Sequence, residues 1–268
     1  MLLRGFHRKV DFSEWERVGS LPTRALRPAG PRKRHTGCCS DLTQPNTARL
    51  ERTLSAMTDA RFSDELRAAV EDIWEAQHEH PVVRGIGDGS LAVARFARYV
   101  RQDYLFLIEY ARLLALGAAR APDLDTLRRF ADLAQAIVGE EMALHRAFAA
   151  ELGIAETELE AEQPARQTRA YTDFLLRVAA TGDFAELAAA LLPCMWGYAE
   201  IGQRLAKRGP PLDERYARWV QTYASDEFAA QADWCRALVD RLASELGEFG
   251  RRRMLDAFVT CSRYELEF

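Results

Sequence analysis

The chain has 268 residues, 48% hydrophobic and 28% charged, with 36 Lys+Arg against 40 Asp+Glu and a formal net charge of −4. That length suffices for one large or two small buried cores. It holds no unbroken run of about 18 apolar residues of the kind a spanning helix needs. The 16 Gly and 10 Pro exclude collagen-like and low-complexity chains, and the mild acidity argues against nucleic acid as the main partner.

The charge is unevenly distributed. Residues 1–56 hold 11 Lys/Arg against 5 Asp/Glu, and residues 57–268 hold 25 against 35, so balances of +6 and −10 stand side by side. The first stretch carries four of the ten prolines and lacks apolar periodicity, so it reads as a basic, disordered extension ahead of a domain at 57–268. Asp11, Glu14 and Glu16 spoil the acid-poor pattern of a transit peptide, and no apolar stretch follows the basic start as in a secretory signal.

From residue 60 onward Ala/Leu/Glu/Arg-rich stretches recur at helical period, and period-two strand signals are nearly missing. The pattern predicts helices near 61–79, 91–120, 124–152, 166–180, 183–208, 212–246 and 248–268. Breaks fall at "HPVVRGIGDGS", "APDLD", "GIAETE", "ATGD" and "RGPP". Short connections make neighbours antiparallel, and the expected fold is an all-α, single-domain bundle.

Polar residues inside the apolar stripes carry the functional information. In the second predicted helix Asp103 occupies a place in the stripe Phe96, Tyr99, Val100, Leu107, Tyr110, Leu114, with Phe106 on the same face. A buried carboxylate costs several kcal/mol unless paired, so Asp103 either pairs with a neighbouring helix or accepts hydrogen bonds from a ligand. In the 183–208 helix Cys194 follows Pro193, whose ring removes the hydrogen bond to the Ala189 carbonyl, and Tyr198 follows one turn later. Near the end of the chain Glu265 enters the stripe Met254, Phe258, Cys261, Phe268. A cavity with two carboxylates, aromatic walls and no seam Lys or Arg suits a flat ligand bearing amines or protonatable ring nitrogens, and Cys194 offers a nucleophile if something favours its thiolate. Cys235 and Cys261 read as packing. With Cys38 and Cys39 the cysteines number five, form no CxxC pair and carry no secretory signal, which fits free thiols in a reducing, cytoplasmic setting.

The segments "HPVVRGIGDGSL", "VRQDYLFLIEYAR", "EEMALHRAF", "LLPCMWGYAEIG", "YARWVQTYASDEF" and "CSRYELEF", in that order, resemble the TenA family (thiaminase II, aminopyrimidine aminohydrolase) over roughly residues 60–268. The resemblance implies a haem-oxygenase-like all-helical fold, a homotetramer, no cofactor or metal, and a small-molecule substrate without nucleic-acid or membrane partners. It implies hydrolysis of aminopyrimidines from degraded thiamin, and of thiamin itself in many members. Position by position it matches Cys194 to the nucleophile, Glu265 to the acid/base, Asp103 to the carboxylate that binds the pyrimidine, and Tyr171 and Tyr223 to pocket tyrosines. Tyr198 is expected beside the thiol, and Phe106 stands where some members have tyrosine.

Three other classes compete. A di-metal carboxylate bundle needs two Glu-x-x-His pairs, and only Glu75 to His78 fits, Glu141 to His145 being spaced one residue too far. A haem protein would use His78 or His80, both next to Pro81 at a predicted helix end. A binder that holds thiamin or its pyrimidine without turnover would use the same cavity.

Overall fold

The computed structural model describes residues 61–268. The predicted 1–56 extension lies outside them. Among the described residues the chain is all-α, as expected. Its helices are α1 (Phe62–Ala68), α2 (Glu71–His78), α3 (Pro81–Asp88), α4 (Val93–Arg120), α5 (Leu124–Ala136), α6 (Met142–Glu151), α7 (Glu156–Glu160), α8 (Arg166–Thr181), α9 (Phe184–Ala206), α10 (Glu214–Tyr223), α11 (Asp226–Ser244) and α12 (Glu248–Glu267). None of them is long and apolar enough to cross a membrane.

The long helices follow the apolar periods that predict them, and their ends are set by side chains. Asp123 and Asp183 cap α5 and α9 by accepting from the Thr126 and Glu186 amides at 2.7 and 2.8 Å. Four local features depart from the predicted pattern. The stretch 61–79 divides at Ala69–Val70 into α1 and α2. "HPVVRGIGDGS" is not only a break: His80 caps α3, Pro81 fills its first position, and Gly89 ends it at φ 77°, a left-handed conformation that favours glycine. The "GIAETE" break contains the short α7. The predicted 212–246 helix is two helices, because the Ser225 hydroxyl accepts from the Phe228 amide at 3.2 Å and starts α11 afresh.

The predicted 124–152 helix runs through, with a π turn at Ile137–Glu141 joining α5 to α6. Such turns are rare, and they re-aim the side chains on them.

Helix α9 is the centre of the bundle, buried along most of its length and packed on α12, α11 and α10. Helix α4 packs on α5 and α8. Gly202 in α9 lies so close to the α10–α11 junction that a Cβ there would meet the Tyr223 carbonyl carbon at 2.4 Å. Only glycine lets α9 approach the backbone that carries Tyr223.

Candidate active site

Buried polar side chains are few among the described residues, and three of them, Asp103, His145 and Glu265, surround the middle of α9. Asp103 is 3% exposed, His145 0% and Glu265 7%. Helix α4 supplies Asp103, the π turn Glu141, α6 His145, α9 Cys194 and Tyr198, α10 Tyr223, and α12 Glu265.

Their hydrogen bonds form two groups. Asp103 Oδ2 lies 2.6 Å from His145 Nε2 and accepts from the Tyr99 hydroxyl at 2.8 Å. His145 Nδ1 lies 2.9 Å from the Glu141 carbonyl oxygen, and Trp219 Nε1 donates to the Tyr99 oxygen at 3.1 Å. The Tyr223 hydroxyl donates to Glu141 Oε1 at 2.8 Å. In the second group the Tyr171 hydroxyl donates to Glu265 Oε1 at 2.6 Å.

Burial tunes this cluster. It pushes Glu265 up to about 8 and Glu141 up to about 7; the Tyr171 bond and His145, respectively, oppose the rise without cancelling it. Burial also holds the Cys194 thiol well above its usual range, and Glu265, Glu141 and Asp103 reinforce it; only the Tyr110 hydroxyl acts the other way. These surroundings keep Cys194 as a thiol.

Two cavities meet these groups. The inner one, about 10 Å³, is lined by Asp103, Phe106, Glu141, Cys194, Tyr198 and Tyr223 among others. That is room for one water. The outer one, about 250 Å³, is lined by Tyr99, Tyr198, Trp219, Glu265 and Phe268, with Arg95 and Arg98. A cavity of about 150 Å³ already holds benzene, so the outer one accommodates a substituted six-membered ring. The larger space is thus not the one that touches the thiol; Tyr198 lines both.

The structure brings six of the seven residues singled out in the sequence to these cavities: Asp103, Phe106, Cys194, Tyr198 and Tyr223 to the inner one, Tyr198 again and Glu265 to the outer. Tyr171 differs from its expected place. It is fully buried, lines neither cavity and reaches the site only through Glu265. Pro193 does not interrupt α9, which continues to Ala206. Sequence reading misses Tyr99, Tyr110, Glu141, His145 and Trp219 as site residues. The i, i+4 pair Glu141–His145 is visible in "EEMALHRAF", but its spacing invites comparison only with a metal motif. Among the described residues no three His, Cys, Asp or Glu side chains gather as a metal set. His78 instead meets Glu200 at 3.4 Å, and His80 caps α3.

The model of the TENA/THI-4/PQQC family matches residues 67–268. The chain belongs to that family. An aminopyrimidine aminohydrolase of Halalkalibacterium halodurans is 46% identical over 209 residues, covering 77% of this chain and 93% of that protein. The solved TenA homologue of P. horikoshii OT3 superposes with a TM-score of 0.72 at 30% identity, over 78% of this chain and 96% of that one. A Shewanella denitrificans domain with a heme oxygenase-like fold gives a TM-score of 0.53 at 15% identity, over 84% and 89% of the two chains, a likeness of fold alone. The TenA-type membership and the haem-oxygenase-like fold that the sequence resemblance implies are both borne out.

Proposed function

We infer that this protein is an aminopyrimidine aminohydrolase, a C–N hydrolase of thiamin salvage that converts 4-amino-5-aminomethyl-2-methylpyrimidine to the hydroxymethyl compound. The observation that carries the reading is the gathering of Cys194, Asp103 and aromatic side chains around one cavity, with the buried Glu265 carboxyl on the adjoining one. The relative named for this activity at 46% identity supports it.

The geometry supports the following residue roles. Asp103, whose Oδ1 has no partner among the described residues, accepts from the ring's amino group and holds the ring in register. The bound substrate's ammonium favours the ionised form of Glu265, which then takes the Cys194 proton, and the thiolate adds to the ring carbon adjacent to the one that bears the methylene. Binding of a cationic amine offsets the negative charges that otherwise keep the thiol protonated. The ammonium already carries the proton it leaves with, so Glu265 passes its own to the ring nitrogen that receives the electron pair of the addition, and ring electrons then expel ammonia. Water adds to the exocyclic methylene, losing a proton to Glu265, and the thiolate leaves and is reprotonated. The sum is amine plus water to alcohol plus ammonia. Entry of the ring requires the inner cavity to open toward the outer one past Tyr198.

Thiamin is a second substrate of the same site on this reading, its thiazole leaving in place of ammonia. A homotetramer belongs to the proposal on the family resemblance. So does a cytoplasmic location, since the chemistry needs a free Cys194 and Cys194, Cys235 and Cys261 are all free. The test is a product assay with aminomethylpyrimidine and thiamin side by side, for wild type and Cys194→Ser. Wild type is expected to release hydroxymethylpyrimidine from at least the first and the variant from neither; full turnover by the variant would overturn the nucleophile assignment.

A further inference from the structure

His145 is a fully buried titratable side chain of the site, and neither the sequence resemblance nor the proposed steps give it a task. Its surroundings fix its protons. Nδ1 faces the Glu141 carbonyl oxygen at 2.9 Å, and a carbonyl only accepts, so Nδ1 carries hydrogen. Nε2 faces Asp103 Oδ2 at 2.6 Å, which requires one proton between the two atoms. The Tyr99 oxygen accepts from Trp219 Nε1 and so turns its own hydrogen onto the same Oδ2. As a carboxylate oxygen, Oδ2 accepts from Tyr99 and His145 at once; as a hydroxyl it would be a weaker acceptor for Tyr99 while donating to Nε2, and Asp103 and Glu141 strengthen the hold of His145 on its proton. The proton therefore lies on the imidazole, and donors run from Trp219 through Tyr99 and from His145 to a single oxygen of Asp103.

We propose that His145 is a positioning residue: as an imidazolium clamped between the Glu141 carbonyl and Asp103, it keeps Asp103 ionised and its Oδ1 free for the amino-bearing ring. This rests on the aminopyrimidine reading for the ligand, but not for the charge state. Asp103 lines the inner cavity, and its Oδ1 makes no hydrogen bond to any described residue, as an acceptor reserved for a ligand should. The groups that face His145 agree with a cation there. Burial works against its charge, but Asp103 and Glu141 outweigh it. Tyr99 on α4 is ring-to-ring at 6.4 Å, Phe148 on its own helix at 6.3 Å, and Tyr223 on α10 acts through Glu141. Cys194 on α9 and Glu265 on α12 feel the charge of Asp103, which raises both. The π turn belongs to the device, since it presents the Glu141 carbonyl to Nδ1.

Two measurements test this. Nitrogen-15 NMR of His145 in the ligand-free enzyme at pH 7 should show both ring nitrogens protonated; a neutral ring with one N–H would overturn the proposal whatever the enzyme's substrate is. In His145→Gln, which keeps a neutral donor, kcat/KM for aminomethylpyrimidine should fall at least tenfold at pH 6, carried mainly by KM. The gap should narrow at alkaline pH, where wild-type His145, whose hold on its proton Asp103 and Glu141 strengthen, loses that proton itself. A pH profile parallel to wild type would mean that His145 only fills space. If wild type neither turns over the substrate nor binds hydroxymethylpyrimidine, the functional reading fails, and the NMR result still decides the charge. If the variant does not fold, the wild-type spectrum decides it as well.

Discussion

Replacing Glu265 by glutamine should stabilise the folded protein at alkaline pH while destroying its activity. The carboxyl is 7% exposed, and burial pushes it from 4.5 up to about 8. The folded state therefore holds a proton that the unfolded state has already lost between those two values. Stability falls as pH rises through that window and is unaffected below it. At about 1.4 kcal/mol for each tenfold in proton affinity, the full penalty approaches ~5 kcal/mol. Relaxation and water entry on ionisation reduce this, leaving an expected difference of about 2–5 kcal/mol, large against a domain's total of about 5–15 kcal/mol. A glutamine side chain has no proton to lose, and its amide oxygen can still accept from Tyr171. The assay is urea unfolding of wild type and Glu265→Gln at pH 5, 6.5 and 8. The two should coincide at pH 5 and diverge at pH 8 in favour of the variant. Both should still decline somewhat, because Glu141, pushed up to about 7, is present in each. Turnover should drop about 10²–10⁴-fold, the usual contribution of a positioned acid/base. Parallel stability curves would refute the claim that Glu265 is desolvated in the native site.

Asp103→Asn should weaken binding of hydroxymethylpyrimidine by about 1.5–3 kcal/mol in calorimetry, the worth of a hydrogen bond to a charged group; unchanged affinity would remove Asp103 from recognition. Tyr223→Phe deletes the donor to Glu141 at 2.8 Å, so the Glu141 titration followed by carboxyl carbon-13 NMR should move up from about 7. Gly202→Ala should cost about 1–3 kcal/mol in thermal unfolding, because its Cβ would lie 2.4 Å from the Tyr223 backbone; an unchanged midpoint would show that α9 can shift freely. Cys235→Ser should leave kcat/KM within twofold of wild type, since Cys235 lines neither cavity.

The bundle is legible in the sequence because helical period survives along every long element. What blurs are local events that leave the period intact. Ser225 restarts a helix inside a continuous apolar pattern, and the π turn at Ile137–Glu141 adds a residue without any Pro to announce it. Asp103, Cys194 and Glu265 stand out as polar groups in apolar stripes, which is the signal that burial leaves in one dimension. His145 does not, because its role depends on a partner on another helix, 42 positions away. Tyr171 is expected on a pocket wall and instead supports Glu265, a distinction between facing a ligand and facing a ligand's neighbour that spacing does not encode.

On the proposed mechanism a thiol and two carboxyls from three helices act on one flat heterocycle, although the roomier cavity touches only one of the three. A crystal structure of Cys194→Ala soaked with 4-amino-5-aminomethyl-2-methylpyrimidine tests it directly. The ring is expected in an opened inner cavity, its amino group within hydrogen-bond distance of Asp103 Oδ1 and its face over position 194, with Glu265 near the aminomethyl nitrogen. A ring lodged in the outer cavity alone, out of reach of Asp103 and position 194, would contradict the account.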